Sequence, residues 1–311
     1  MTITNYKDPK NSLELYELED KLNFFVKLYE AKNFPKVLML TGLKGIGKYT
    51  LVNHFLSYVY DKNNYDLKNN IIDDKSTFYK ANKNNLFPNI IYLSGSGLKS
   101  IKVDDIRDLK LSIFKSTLSK QKRFIILDDI ERFNVNSLNA LLKIIEEPSL
   151  NNYFILINNK TKPLLQTIKS RALEINILIK NFQRIKIIDS LIKINNLDPA
   201  IDSSSFNLTP GNFLFFNELC KENEIDINNN FLFNLEVFLN LYKKSKDINY
   251  INAALFLTEN YFQKINKDKD INLEKNIEDR IFVLKNLNKF IFLNLNQKTL
   301  LNAIDNRLAN E

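Results

Sequence analysis

The sequence predicts an α/β domain built on a parallel sheet, followed by a region made only of helices. Two observations support this division. Up to about residue 176, short apolar segments alternate with stretches of helical periodicity, which is the pattern of a parallel sheet covered by helices on both faces. After that point only helical periodicity recurs, and 311 residues exceed what a single hydrophobic core usually supports.

Four apolar segments are predicted to be strands, at residues 37–41, 89–93, 123–127 and 153–157. The spacing of apolar residues predicts helices over residues 11–30, 51–60, 103–118 and 137–147, and another through Leu164 and Ile168. Pro148 helps to stop the fourth of these helices, because the residue before a proline avoids the α region. Residues 61–86 are polar and rich in Asn and Lys, which favours a loop or insertion.

Helical periodicity continues through the second part of the chain. We predict helices at residues 182–194, 213–221, 231–243, 252–265 and 277–293. The Asn- and Asp-rich stretch at 222–230 divides this region into a smaller and a larger part.

Composition excludes several classes of protein. One cysteine, Cys220, excludes a disulfide framework and a thiolate-rich zinc cage, and it fits a reducing compartment. The first residues carry no apolar signal core, and no run of about 18 apolar residues occurs, so we expect a cytoplasmic protein without a membrane span. The net charge of +8 is compatible with an anionic partner without requiring one.

A glycine-rich loop at residues 42–48 follows the first strand and opens a helix. Its glycines, Gly42, Gly45 and Gly47, let backbone N–H groups point at phosphate oxygens, and Lys48 adds a positive charge. Strand, loop and helix in this order favour nucleotide-binding ancestry over an incidental glycine-rich turn.

The residue after Lys48 departs from a working phosphate loop. A Ser or Thr hydroxyl normally holds Mg²⁺ there, whereas this chain has Tyr49, with Thr50 one position later. One residue along a helix is a rotation of about 100°, so Thr50 is expected to point elsewhere. Phosphate binding remains compatible with the loop, but metal positioning is expected to suffer.

Two acids, Asp128 and Asp129, follow the third strand in the form of a Walker B motif. Asp128 would contribute to the Mg²⁺ shell, and the next residue usually orients the attacking water. That residue is normally Glu, and Asp129 is shorter by one methylene, about 1.5 Å of reach. The alternative is two exposed acids at the end of a strand.

Four further segments resemble those of bacterial AAA+ clamp-loader subunits, in the family's order, and the δ′ branch of the DNA polymerase III clamp loader matches best. They are residues 102–109 (KVDDIRDL), 139–148 (NALLKIIEEP), 153–159 (YFILINN) and 164–171 (LLQTIKSR). The resemblance implies an AAA+ P-loop domain with a parallel sheet at 1–177, a small helical lid at 178–222 and an all-α collar domain for oligomerisation at 223–311.

The same resemblance assigns roles to individual residues. Ser170–Arg171 matches the pair whose arginine reaches the ATP of a neighbouring subunit as an arginine finger; the alternative is an ordinary ion pair at a helix end. Asn159, or Asn158, matches the sensor-1 position, and Asn212 stands where a sensor-2 Arg or Lys would be. Ala172 replaces the family's Cys.

The resemblance also implies partners: the γ/τ and δ subunits, the sliding clamp, and primed DNA reached through Lys99, Lys102 and Arg107, unless these are only solvated surface cations. Some relatives carry a zinc module where this chain has residues 61–86, but the segment contains no Cys or His, so we expect no structural zinc. ATP binding is expected to be weak or not followed by hydrolysis. The alternatives are an active γ/τ-type ATPase and a non-replicative AAA+ module or P-loop kinase.

Overall fold

The computed structural model describes residues 9–95, 101–114, 121–204, 207–266, 273–293 and 295–309. Its strands are β1 (Val37–Thr41), β2 (Tyr65–Asp66), β3 (Ile71–Ile72), β4 (Ile90–Ser94), β5 (Arg123–Asp128), β6 (Asn152–Asn158) and β7 (Leu173–Asn176). Within the described residues, a sheet of five strands has the order β4–β5–β6–β1–β7, and all of its pairings are parallel. This confirms the predicted parallel sheet.

The helices of the first part are α1 (Glu19–Glu30), α2 (Lys48–Tyr60), α3 (Thr77–Lys83), α4 (Val103–Phe114), α5 (Val135–Ile145) and α6 (Gln166–Lys169). Those of the second part are α7 (Asn181–Ile194), α8 (Pro210–Glu222), α9 (Phe231–Ser245), α10 (Ile248–Ile265), α11 (Leu273–Leu293) and α12 (Gln297–Leu308). The chain after β7 is helical wherever it forms regular structure among the described residues, as the sequence predicts.

Residues on successive strand positions fill two separate cores, one on each face of the sheet. Phe124 and Ile126 of β5 contribute to the core shared with α1 and α2, while Ile125 and Leu127 contribute to the core shared with α4 and α5. Each of these four side chains is fully buried. The strands are therefore apolar throughout because both of their faces are covered.

Three local features differ from the sequence prediction: one helix start was wrong, and one strand and one helix were not predicted. The fifth strand, β7, was not predicted; it pairs with β1 at the edge of the sheet. Helix α1 begins at Glu19 rather than residue 11, because residues 13–15 are extended and Ile72 donates its backbone N–H to Leu13 O at 2.9 Å. Helix α12 was also missed.

Residues 61–86 are an ordered insertion rather than a loop. Strands β2 and β3 form an antiparallel hairpin, and Ser76 caps α3 by accepting a hydrogen bond from Tyr79 N at 2.9 Å. Tyr65, Ile72 and Phe78 are buried in the same core as α1 and α2. These apolar side chains anchor the Asn- and Lys-rich segment to the core, while Ile71 and Leu86 remain exposed.

The chain divides into two compact units. The first contains residues 1–190 and 209–211, and the second contains residues 191–208 and 212–311. In the second unit α9 packs against α10, α10 against α11, and α11 against α12, around the buried side chains Phe238, Val283, Leu287 and Leu300. The division into three domains ending at residues 177, 222 and 311 stays a prediction.

No helix within the described ranges is long and apolar enough to cross a lipid bilayer.

Candidate functional site

The glycine-rich loop lies between β1 and α2 and is built as a backbone cradle. Gly45 and Gly47 have φ angles of +83° and +90°, a region that other residues rarely adopt. Gly42 passes so close to the end of β7 that a Cβ atom there would lie 2.5 Å from the carbonyl oxygen of Ile177. All three predicted glycines therefore meet a backbone requirement of the loop, and the helix N-terminus follows it directly.

Lys48 is the buried cation of this loop. Its Nζ donates hydrogen bonds to the carbonyl oxygens of Gly42 at 2.7 Å and of Leu43 at 2.6 Å. Burial lowers the pKa of Lys48 to about 8, against the opposing effect of nearby carboxylates, of which Asp128 is the strongest. The ammonium therefore stays mostly charged at neutral pH, and the cradle with its cation fits a phosphate group.

The side of the site where a metal would bind is filled by two tyrosines. Tyr49 is buried, and its ring packs edge-on against that of Tyr92, with 5.2 Å between the centroids. The hydroxyl of Tyr92 donates a hydrogen bond to Oδ2 of Asp128 at 3.0 Å. Thr50, in the same turn as Tyr49, is hydrogen-bonded to none of these groups in the described part of the chain.

Asp128 is a poor match for the metal ligand that the Walker B pattern predicts. Burial and the neighbouring Asp129 raise its pKa, and its Oδ1 accepts hydrogen bonds from Asp129 N at 2.8 Å and Asn159 Nδ2 at 3.3 Å. In a working phosphate loop, Mg²⁺ is held by the hydroxyl beside the lysine together with this acid, and here the buried ring of Tyr49 takes the place of that hydroxyl. The residues present do not fit Mg²⁺ as a working phosphate-loop site would.

Asp129 is also engaged by groups of its own chain. It adopts a left-handed conformation (φ +51°), and its Oδ1 accepts a hydrogen bond from Asn159 Nδ2 at 2.8 Å. Its Oδ2 lies 3.7 Å from Nζ of Lys44. The structure thus brings Asp128, Asp129 and Asn159 into contact, and the second acid is paired with an amide and a lysine.

Glu131 is a member of the site that sequence reasoning missed. Its carboxylate is buried and accepts hydrogen bonds from the backbone N of Asn159 and Thr161, each at 3.2 Å, and from Oγ1 of Thr161 at 2.8 Å. It therefore fixes the loop that carries Asn159. The available signal was a third acid two residues after the Asp pair, but neither its burial nor its target is visible in the sequence.

The segment 209–211, which begins the proposed sensor-2 stretch, contacts the glycine-rich loop within the first compact unit. Thr209 Oγ1 donates to the carbonyl oxygen of Lys44 at 2.7 Å, and Gly211 N donates to Gly45 O at 2.8 Å. A Cβ atom on Gly211 would lie 2.9 Å from Cα of Gly45. Two backbones meet here, which explains the glycine on each side.

Arg171 and Ser170 follow α6, and among the described residues neither forms a hydrogen bond or ion pair with the glycine-rich loop. In the described part of the chain, the guanidinium of Arg171 contacts Glu146 Oε1 at 2.5 Å, Thr167 O at 3.0 Å and Ser170 Oγ at 3.5 Å. Its side chain is 36% exposed. The ion pair that was the alternative interpretation is therefore present, on a residue that also remains accessible to solvent.

Two of the three residues predicted to contact DNA lie in the described part of the chain, and both are exposed. Lys99 lies outside the described residues. Lys102 is exposed just before α4, and Arg107 is paired with Asp104 at 2.7 Å on the exposed surface of that helix. Among the described residues no cluster of three His, Cys, Asp or Glu could hold a metal ion. Cys220 is buried, which raises the pKa of its thiol to about 12.

The chain resembles known DNA polymerase III subunits. The family model for the DNA polymerase III delta subunit matches residues 18–181, just over half of the chain. DNA polymerase III subunit delta' of Pseudomonas aeruginosa is 40% identical over 76 residues, and that of Buchnera aphidicola (subspecies Baizongia pistaciae) is 36% identical over 81. These segments cover 24% and 26% of this chain and 23% and 24% of the respective relatives, so the chain matches about a quarter of their length.

The gamma subunit of DNA polymerase III from another Buchnera aphidicola (subspecies Acyrthosiphon pisum) is 25% identical over 173 residues, covering 55% of this chain and 45% of that protein. Among solved structures, a DNA polymerase III gamma subunit-related protein of Thermotoga maritima superposes with a TM-score of 0.49 at 17% identity. That superposition covers 93% of this chain and 97% of the other.

Proposed function

The chain belongs to the DNA polymerase III delta-subunit family, and from this premise we propose that it is a δ′-type subunit of the clamp loader. In this role it is a largely non-hydrolysing AAA+ subunit of the DNA polymerase III holoenzyme. Arg171 acts as an arginine finger in the ATP site of an adjacent γ/τ-type subunit while the sliding clamp is loaded onto primed DNA.

The observation that carries the proposal is the placement of Arg171. Its side chain is 36% exposed, and within the described residues its guanidinium is bonded to no residue of the nucleotide site on its own chain. A guanidinium is always charged, planar and able to make paired hydrogen bonds, so it suits the charge that develops on a transferring phosphoryl group. Ser170 supports it as a positioning residue, because its hydroxyl bonds to Thr167 O at 3.1 Å and lies beside the guanidinium.

The state of the chain's own site supports the non-hydrolysing half of the proposal. The cradle and Lys48 are suited to phosphate, whereas Tyr49 replaces the metal-binding hydroxyl, and Asp128 and Asp129 are committed to internal hydrogen bonds. Catalysis of phosphoryl transfer depends on positioning and on the metal, so a site with these substitutions would retain phosphate binding and lose turnover.

We further propose the domain arrangement and the partners that go with this role. The AAA+ domain ends near residue 177, a lid follows to residue 222, and the remaining helices form the collar that assembles with γ/τ and δ subunits in the cytoplasm. Contact with primed DNA is attraction to its phosphates and does not depend on base sequence. Lys102 contributes to this contact, whereas the neighbouring Arg107 is already paired with Asp104.

The test is Arg171→Ala in a loader reconstituted from purified subunits. We expect normal assembly and a marked fall in DNA-stimulated ATP turnover, because fingers of this kind contribute roughly 10³-fold or more when chemistry limits the rate. Lys169→Ala is the matched control, since it removes one positive charge two residues away. Unchanged turnover in Arg171→Ala would disprove the finger role.

A γ/τ-type ATPase is the second candidate, favoured by the intact glycine geometry and by the placement of Asn159 beside both acids. Steady-state ATP hydrolysis by the isolated chain separates the two functions. Robust turnover that Lys48→Ala abolishes would establish the ATPase, and turnover at the background rate would support the δ′-type role.

A further inference from the structure

Arg171 already has an anionic partner on its own chain, and that partner is Glu146. The carboxylate lies just after the last residue of α5, and the arginine lies just after α6. One guanidinium nitrogen contacts Glu146 Oε1 at 2.5 Å, while a second bonds to Thr167 O and approaches Ser170 Oγ. The arginine is therefore folded back against its own helix turn.

We propose that Glu146 is a positioning residue that competes with a neighbouring subunit's triphosphate for Arg171. The inference rests on the proposed finger role. Glu146 touches neither nucleotide nor reacting atoms; it determines how often the guanidinium is available to a phosphate. When the triphosphate arrives, the guanidinium exchanges one carboxylate oxygen for phosphate oxygens, and Glu146 is released to solvent.

Because both side chains of the pair are partly exposed, the ion pair restrains Arg171 reversibly. The side chains of Arg171 and Glu146 are 36% and 44% exposed. An ion pair between such exposed side chains raises the ratio of paired to unpaired arginine by up to about fivefold. A buried pair would be far harder to exchange. A polyphosphate offers several charged acceptors to the same guanidinium, so it can displace a single carboxylate contact.

The local backbone keeps Glu146 in place for this role. Its N–H donates to Leu142 O at 3.0 Å, so the residue continues the hydrogen-bonding of α5. The partial negative charge at the C-terminal end of a helix adds to the attraction of the carboxylate for a cation. The next residue, Glu147, is also exposed but forms no ion pair among the described residues. It provides a control that carries the same change of charge one position away.

The first test uses the full isolated chain and does not depend on ATPase activity. Phenylglyoxal modifies accessible arginines, and mass spectrometry can follow the peptide that contains Arg171. We expect Glu146→Gln to speed modification of Arg171 by about three- to fivefold, with Glu147→Gln at the wild-type rate. Equal rates in wild type and both variants would overturn the proposal, because the pair would then not restrain the arginine.

The second test uses the reconstituted loader. Glu146→Gln is expected to lower the KM for ATP by up to about fivefold without changing kcat, because the competition ends once phosphate is bound. Added salt should shrink the difference from wild type, since it screens the exposed pair. A purely structural role of Glu146 would lower Tm and leave this salt-dependent KM difference absent, which would overturn the inference.

The two proposals fail in different ways. If Arg171→Ala abolishes DNA stimulation while Glu146→Gln leaves KM unchanged, the finger role stands and the competition by Glu146 is disproved. If Arg171→Ala leaves turnover unchanged, both proposals fall.

Discussion

The hydroxyl of Tyr92 on β4 donates a hydrogen bond to Asp128 on the neighbouring strand β5, with 3.0 Å between the oxygens. The register pairs Ser94 with Asp128, so Tyr92 lies two residues earlier on the same face of the sheet. Burial also raises the pKa of the Tyr92 hydroxyl, so it remains a donor at all ordinary pH values. Asp128, which the Walker B pattern assigns to metal binding, therefore accepts a hydrogen bond from Tyr92 at any ordinary pH.

We predict that Tyr49→Thr, which restores the sequence of a working phosphate loop, does not create an ATPase. Asp128 keeps its bond to Tyr92, and removal of a buried ring should cost about 2–4 kcal/mol of unfolding free energy. Steady-state ATP hydrolysis and urea denaturation measure the two effects. Tyr49→Phe is the control, because it keeps the ring; Mg²⁺-dependent turnover in Tyr49→Thr would contradict the prediction.

The stability of the chain should respond to pH through Lys48. Its pKa is about 8 in the fold and near 10.5 when unfolded, so the folded state binds fewer protons between these values. The cost of burying the charged ammonium is present in full below pH 8 and disappears above pH 10.5. Relative to Lys48→Met, the wild type should therefore gain about 3 kcal/mol of unfolding free energy across this interval.

Urea denaturation of both proteins at several pH values measures that difference, and the comparison cancels the titration of other groups. A difference that stays constant from pH 7 to pH 10.5 would show that Lys48 titrates normally in the fold.

The sequence predicted the features that repeat a strong local pattern. The central strands were recognised because they are apolar throughout, and the loop because its glycines have a fixed spacing. Strand β7 was missed because it is an edge strand whose Leu and Ile alternate with Glu and Asn. In the insertion, Tyr65, Ile72 and Phe78 are spaced six or seven residues apart among polar residues with no helical or strand period, so their shared packing is visible only in three dimensions.

The candidate site shows the same limit. Motif patterns indicated Lys48 and Asp128, and the family resemblance indicated Asn159 or Asn158; in the structure Asn159 bonds to both Asp128 and Asp129. Tyr92 and Glu131 belong to no motif, and their roles depend on strand register and on the left-handed turn at Asp129. Such contacts are set by tertiary structure, so a single sequence cannot supply them.

Glu131→Gln is predicted to loosen the loop that carries Asn159. All three donors to the carboxylate reach Oε1, and the N–H of Asn159 also lies 3.2 Å from Oε2; Gln removes the negative charge and presents an NH₂ donor to that N–H in place of Oε2. We expect a loss of about 1.5–3 kcal/mol of unfolding free energy, together with faster amide exchange at Asn159 and Thr161. The exposed Glu147→Gln serves as a comparison, and protected amides in Glu131→Gln would contradict the role.

Gly211→Ala should detach segment 209–211 from the glycine-rich loop. An alanine Cβ would lie 2.9 Å from Cα of Gly45 and 3.1 Å from its carbonyl oxygen, and backbone atoms cannot move aside cheaply. Alanine is the better helix former by about 1 kcal/mol, so α8 itself should persist. We therefore expect fast hydrogen exchange at the residue 211 amide, which in the wild type is bonded to Gly45 O.

Asn212→Ala, one position along the same helix, should leave that amide protected. If the amide of Gly211→Ala exchanged as slowly as in the wild type, the close backbone approach would not be what holds this segment to the loop.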